Sequence, residues 1–224
     1  MFTILRVGVT GITGGIGNAL EQLLMRQGTK VIGFARYPRT PYHFDMDVTM
    51  QEQNIARLIE NASPEGYDVW INLAGADIMS GENRRKPYLE RLQQLWDIDV
   101  LGTIKCSRAV IPHLNHNGII INVAWDEALS GASGDSASLY GTAKAAIIGY
   151  SASLSKSLAP GILVYVVSPG WVVTRWAQTL TPEQRMRLIR QSAGQRWIEP
   201  WEIAASFWNI ITYPPPSGTV VQVK

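Results

Sequence analysis

Two stretches of this 224-residue chain constrain its fold more than any other feature. Gly118–Val123 (GIIINV) and Ile162–Ser168 (ILVYVVS) are apolar at nearly every position. A strand with one wet face alternates apolar and polar residues. An unbroken apolar run must be covered on both faces, as a strand is inside a parallel sheet flanked by helices. Further strands are expected at Ile4–Thr10, Lys30–Ala35, Val69–Asn72 and Val220–Val223. Helical patterning fills the gaps, at Gly15–Gln27, Gln51–Asn61, Leu89–Ile111, Tyr140–Ala159 (stopped by Pro160-Gly161) and Pro200–Thr212. Alternating β and α elements select an α/β class: a doubly wound parallel sheet in three αβα layers with right-handed crossovers. The densest breaker cluster, Tyr213–Gly218, lies too near the last strand to separate domains, so residues 1–224 read as a single domain.

Composition closes off other classes. Apolar residues at 46% and charged residues at 17% suffice for a sizeable core. The formal charge of +2 argues against a nucleic-acid binder that relies on a broad basic surface. One cysteine, Cys106, excludes an internal disulfide framework, and three scattered histidines (His43, His113, His116) make no metal centre. No apolar run reaches the length of a membrane span, and the opening segment is interrupted by Arg6, so a cytoplasmic protein with no membrane association is expected.

The first strand runs into Thr10-Gly11-Ile12-Thr13-Gly14-Gly15-Ile16-Gly17, where a helix opens. Glycine serves where the chain turns sharply and where backbone must approach a diphosphate. The helix N-terminus then offers free N–H groups and a positive dipole end to the anion. The second strand ends in Ala35-Arg36. An acidic residue there would bind the ribose hydroxyls of NAD. Arg36 instead offers a planar donor fork to a 2′-phosphate, which favours NADP(H) over NAD, with Arg39 as a second contact.

Tyr140-Gly-Thr-Ala-Lys144 places a phenol and an ammonium on one face of a helix. A nearby cation stabilises the phenolate and is expected to lower the tyrosine pKa, so that the pair can exchange a proton with an alcohol or carbonyl.

Together these features resemble the short-chain dehydrogenase/reductase family across nearly the whole chain. Thr10-Gly11-x-x-x-Gly15-x-Gly17 matches the cofactor turn, including Thr13 and Ile16 within it. Asp47-Val48 matches the pair that holds adenine, and Asn72-Leu-Ala74-Gly75 the N-A-G signature. Tyr140 and Lys144 match the catalytic pair, and Pro169-Gly170-Trp-Val172-Val-Thr174 the segment that embraces nicotinamide. The resemblance implies a Rossmann-type fold and an NADP(H)-dependent oxidoreductase interconverting a secondary alcohol and a ketone. It also implies that Lys144 binds the nicotinamide ribose and Thr174 the carboxamide.

Two positions depart from the family pattern. Its active serine follows the fifth strand, where this chain reads Ala124-Trp125-Asp126-Glu127. Trp125 could donate through its indole N–H or act as a hydrophobic plug. Asp126 could accept a hydrogen bond or serve as a base, and Ser130, Ser133 and Ser136 lie nearer Tyr140. The second departure is Asp99, where the family carries an asparagine that holds a water in a proton relay; an aspartate there would tend to keep Lys144 protonated. A cofactor-binding regulator without redox chemistry, or a dehydratase or epimerase, is the alternative to an oxidoreductase.

Eight tryptophans are an unusual supply. Trp171 and Trp176 flank Thr174, while Trp197 and Trp201 bracket a segment expected to close over substrate, which suits an aromatic or apolar small molecule. Trp208 reads as core. Arg175–Arg196 carries Arg185, Arg187, Arg190 and Arg196, as a mobile lid or a solvated face. In the family the long helices Leu89–Ile111 and Tyr140–Ala159 pair between subunits, so a homodimer or homotetramer is expected.

Overall fold

A computed structural model describes residues 4–158, 160–191 and 194–224. Seven strands form one sheet: β1 (Arg6–Thr10), β2 (Lys30–Ala35), β3 (His43–Asp45), β4 (Tyr67–Asn72), β5 (Leu114–Val123), β6 (Leu163–Pro169) and β7 (Val220–Val223). Their order is β3-β2-β1-β4-β5-β6-β7 and every pair is parallel. This is the doubly wound Rossmann-type α/β fold expected from the apolar strands.

Side chains explain the layering. Successive residues of a strand point to opposite faces. Val69 and Ile71 join one core with Leu20 and Leu24 of α1 (Gly15–Arg26) and Ile203 and Phe207 of α8 (Pro200–Thr212). Trp70, between them, joins the opposite core with Ile55 and Ile59 of α2 (Glu52–Ala62) and Cys106 and Val110 of α4 (Gly102–Val110). Both faces of β4 are therefore dry, as are those of β5 and β6. Cys106 is buried, and burial pushes its thiol up to about 12, so it behaves as a small hydrophobe. Trp208 packs against the first core, as expected.

Some elements differ from the sequence expectation. The three-residue β3 was not anticipated, because His43-Phe-Asp45 is too short and polar to show a strand pattern. The single helix expected over Leu89–Ile111 is α3 (Tyr88–Leu95), a wider π-type turn (Trp96–Leu101) and α4. The helix carrying Tyr140 starts earlier, as α5 (Asp135–Leu158); Ala159, its expected last residue, lies outside the described residues. Two further helices, α6 (Arg175–Gln178) and α7 (Pro182–Gln191), occupy the arginine-rich segment. Among the described residues no helix is long and apolar enough to cross a membrane.

Strand order reverses between β1 and β4, which pair Thr10 with Asn72 at their C-terminal ends. In open parallel sheets the crevice beyond this reversal is where ligands sit.

Candidate active site

The turn after β1 is built around two close approaches. Gly11 has φ +69°, and a Cβ there would stand 2.7 Å from the Ala74 backbone; one at Gly17 would stand 2.5 Å from the Ile12 carbonyl oxygen. Thr10 ties this turn to the end of β4 by accepting hydrogen bonds from the N–H groups of Leu73 and Ala74, both at 3.1 Å. Gly15 is different. A Cβ on it would meet only the Thr174 Cα, at an ordinary contact distance of 4.0 Å, so the turn and Thr174 approach each other without crowding. The first turn of α1 has no side-chain cap and no acidic residue. Uncapped helical N–H groups with no acidic residue beside them suit an anionic diphosphate.

The other expected cofactor contacts gather at the same sheet edge. Arg36 follows the last residue of β2 and is exposed, as is Arg39. Asp47 accepts from the N–H and hydroxyl of Thr49, both at 2.8 Å, and Val48 is buried against Gly102. Pro169 ends β6, Val172 bridges to Ile198, and Thr174 precedes α6. Asn72 has another task. Its carbonyl accepts from Trp70 Nε1 (2.9 Å), and its amide donates to Ser107 Oγ (2.9 Å) and Asn122 Oδ1 (2.8 Å). Asn122 in turn donates to Ser151 Oγ at 2.8 Å. Asn72 is thus the hub of a buried network, while Gly75 of the same N-A-G stretch is exposed.

Tyr140 and Lys144 stand one turn apart on α5, beneath the end of β5. Lys144 Nζ lies 5.3 Å from the Tyr140 ring centroid. It donates to the Val123 carbonyl at 3.1 Å and pairs with Asp99 Oδ2 at 2.8 Å. Both partners are almost wholly buried, Lys144 at 4% and Asp99 at 0% exposed. Asp99 reaches this position from the π-type turn, and its Oδ1 accepts from the Ala76 N–H at 2.7 Å.

The expectation that Lys144 leaves Tyr140 with a lowered pKa does not hold for this arrangement. Burial raises the phenol pKa, Asp99 adds to the rise, and the attraction of Lys144 is too small to reverse them. Lys144 itself is pulled down by burial, but Asp99 and the Tyr140 oxygen more than restore it, leaving it above the ordinary lysine value.

After β5 the indole of Trp125 packs edge-on against Tyr140, ring centroids 5.6 Å apart, and is 5% exposed. Asp126 faces elsewhere. Its carboxylate stands 3.1 Å from where a Gly170 Cβ would be, and both oxygens are buried without a well-formed hydrogen bond. Burial raises its pKa, while Lys224 and the N–H groups of Glu127 and Asp126 offset part of the rise. Ser136 accepts from Arg91 Nη1 at 3.0 Å, whereas Ser130 and Ser133 lie on exposed loop.

Trp125 is also the first ring of a cluster. Trp171 lies 6.0 Å from it, Trp176 5.5 Å from Trp171, and Trp197 6.1 and 6.3 Å from Trp171 and Trp176. Arg185 lies over Trp197 at 5.8 Å and donates twice to the Ala177 carbonyl, pinning α7 to α6. Trp201, at 65% exposed, stands outside the cluster, contrary to expectation, because it falls on the outer face of the first turn of α8. Arg187 and Arg190 are exposed. Arg196 pairs with Glu202 at 2.8 Å and donates to the Lys224 carbonyl. Sequence reasoning missed the Val123 carbonyl and the Arg185 stack, since neither a backbone acceptor nor a tertiary stack leaves a local motif.

The family model described as short chain dehydrogenase matches residues 6–185. The chain belongs to this family. It is 30% identical over 214 residues to the 3-oxoacyl-[acyl-carrier-protein] reductase FabG of Vibrio cholerae, covering 88% of this chain and 86% of the relative. It is 29% identical over 224 residues to an uncharacterized oxidoreductase of Staphylococcus aureus, covering 92% and 90%. Among solved structures, the ligand-free aldohexose dehydrogenase of Thermoplasma acidophilum superposes with TM-score 0.83 at 22% identity, covering 98% of this chain and 92% of that one. ElxO with NADP bound gives TM-score 0.84 at 20% identity, covering 99% and 97%. Family membership makes this short-chain dehydrogenase an oxidoreductase that acts on small molecules with a nicotinamide dinucleotide.

Proposed function

We propose that this chain is an NADP(H)-dependent enzyme interconverting a ketone and a secondary alcohol, with Tyr140 as its proton-transferring group. The observation that carries the reading is the grouping of half-buried Tyr140 with buried Lys144 and Asp99 at the sheet edge where the glycine turn approaches Thr174. There the first turn of α1 would hold the diphosphate, Arg36 the 2′-phosphate, Asp47 and Val48 the adenine, and Thr174 the carboxamide. The cofactor, when bound, supplies or accepts hydride. Tyr140 passes a proton to the carbonyl oxygen, and Lys144 steadies the phenol oxygen and the ribose.

The serine's hydrogen bond to the reacting oxygen is assigned to the indole N–H of Trp125, because that ring touches Tyr140 while Asp126 packs against Gly170. The surrounding tryptophans favour a planar aromatic or otherwise apolar carbonyl compound. The reading includes a homodimer or homotetramer formed through α4 and α5.

The test is the loss of reduced-nicotinamide absorbance with a panel of aromatic and aliphatic ketones, run with NADPH and with NADH. Turnover with aromatic ketones and a preference for NADPH is expected. Tight NADPH binding with no oxidation across the panel would replace the enzyme with a cofactor-binding regulator.

A further inference from the structure

The ammonium of Lys144 has three N–H donors. One goes to Asp99 at 2.8 Å and one to the Val123 carbonyl at 3.1 Å, leaving the third for the phenol side. A neutral amine would have only two, so these acceptors hold Lys144 in its charged form. Asp99 is fixed as well, because it accepts from both the Ala76 N–H and the ammonium in a wholly buried setting. The pair is internally neutral. Ionising half-buried Tyr140 beside it would add a negative charge next to the buried Asp99 carboxylate with no cation left to offset it, which is costly. Among the described residues, the charged groups acting on Tyr140 are these two. Arg91 of α3 is turned to Ser136, and Asp126 of the β5 loop to Gly170.

We propose that Asp99 is a positioning residue that spends the charge of Lys144 and thereby keeps Tyr140 a protonated phenol, biasing this site toward carbonyl reduction over alcohol oxidation. The inference rests on the reading of Tyr140 as the proton-transferring group. In reduction, the carbonyl carbon gains a C–H bond by hydride from the reduced nicotinamide, which is oxidised. The C=O π pair moves to oxygen, and oxygen takes the Tyr140 proton, leaving a phenolate that must be reprotonated from solvent. Alcohol oxidation needs that phenolate at the start, which is the state Asp99 disfavours.

Two measurements test this. The first follows tyrosinate absorbance against pH in the wild-type chain and in Tyr140→Phe; their difference isolates Tyr140. Ionisation only above the ordinary tyrosine value of about 10 is expected, and ionisation below it overturns the proposal. The second compares Asp99→Asn, which keeps shape and the Ala76 hydrogen bond but loses the charge. The Tyr140 titration should fall by about one pH unit or more, and the ratio of kcat for oxidation to kcat for reduction, each at saturating substrate and cofactor near neutrality, should rise about tenfold. Asp99→Glu should restore both toward wild type. An unmoved titration and ratio in a folded, NADPH-binding Asp99→Asn overturns the proposal. A moved titration with no turnover in either direction instead overturns the oxidoreductase reading, and the directional bias with it.

Discussion

Replacing Trp125 with serine puts the family's usual hydroxyl back at the end of β5 and removes an indole that touches both Tyr140 and Trp171. Truncating a buried tryptophan typically costs about 3–5 kcal/mol. Here the lower end applies, about 3 kcal/mol, because the neighbouring Tyr140 and Trp171 are only half-buried and give water a way into the vacated space. For a chain of this size each kcal/mol moves Tm by about 2–4 °C, so thermal denaturation should fall by about 6–12 °C. Trp125→Phe separates packing from hydrogen bonding. It keeps most of the aromatic contact and loses the N–H, so Tm should change little while kcat drops about tenfold, the worth of one catalytic hydrogen bond. The assay is a melting curve paired with ketone reduction at saturating NADPH. A Tm unchanged in Trp125→Ser would show that the indole is not packed as described. An unchanged kcat in Trp125→Phe would remove the indole from the chemistry.

Arg36→Ala should weaken NADPH binding about tenfold to a hundredfold and leave NADH nearly unaffected, measured by fluorescence titration; equal losses for both would refute the 2′-phosphate assignment. Thr10→Val removes the acceptor shared by the Leu73 and Ala74 N–H groups, so it should cost about 1–3 kcal/mol in denaturant unfolding and raise the Kd for NADPH. Asp126→Asn should raise Tm at neutral and alkaline pH. The folded-state pKa of Asp126 is raised by burial, so its contribution is favourable below the unfolded-state value and is lost as pH rises through the folded one. Scans below the ordinary carboxylate range should then show no gain from the substitution, and a gain that persists there would contradict the sign.

How much of this was legible in the sequence depended on whether the signal was local. The apolar runs around Ile120 and Val164 are local patterns, and both strands are dry on two faces. The glycine turn and the Tyr140–Lys144 spacing are local too. The break between α3 and α4 was invisible, because apolar periodicity continues through the π-type turn that turns Asp99 inward. Trp125 and Asp126 were interchangeable on paper. Only the exit direction of β5 decides that the indole meets Tyr140 while the carboxylate meets Gly170. The sign of the Tyr140 shift was misjudged for a related reason: the spacing displays Lys144 but hides the desolvation and the opposing charge brought from 41 positions away in the chain.

In the proposed reaction one phenol proton completes hydride transfer. Tyr140→Phe keeps the ring against Trp125 and deletes only the hydroxyl, so single-turnover oxidation of bound NADPH by an active ketone tests it directly. NADPH affinity within about twofold of wild type and a rate lowered at least about a hundredfold, the lower end of general acid catalysis, are expected. A mutant that consumes NADPH at the wild-type rate would contradict it.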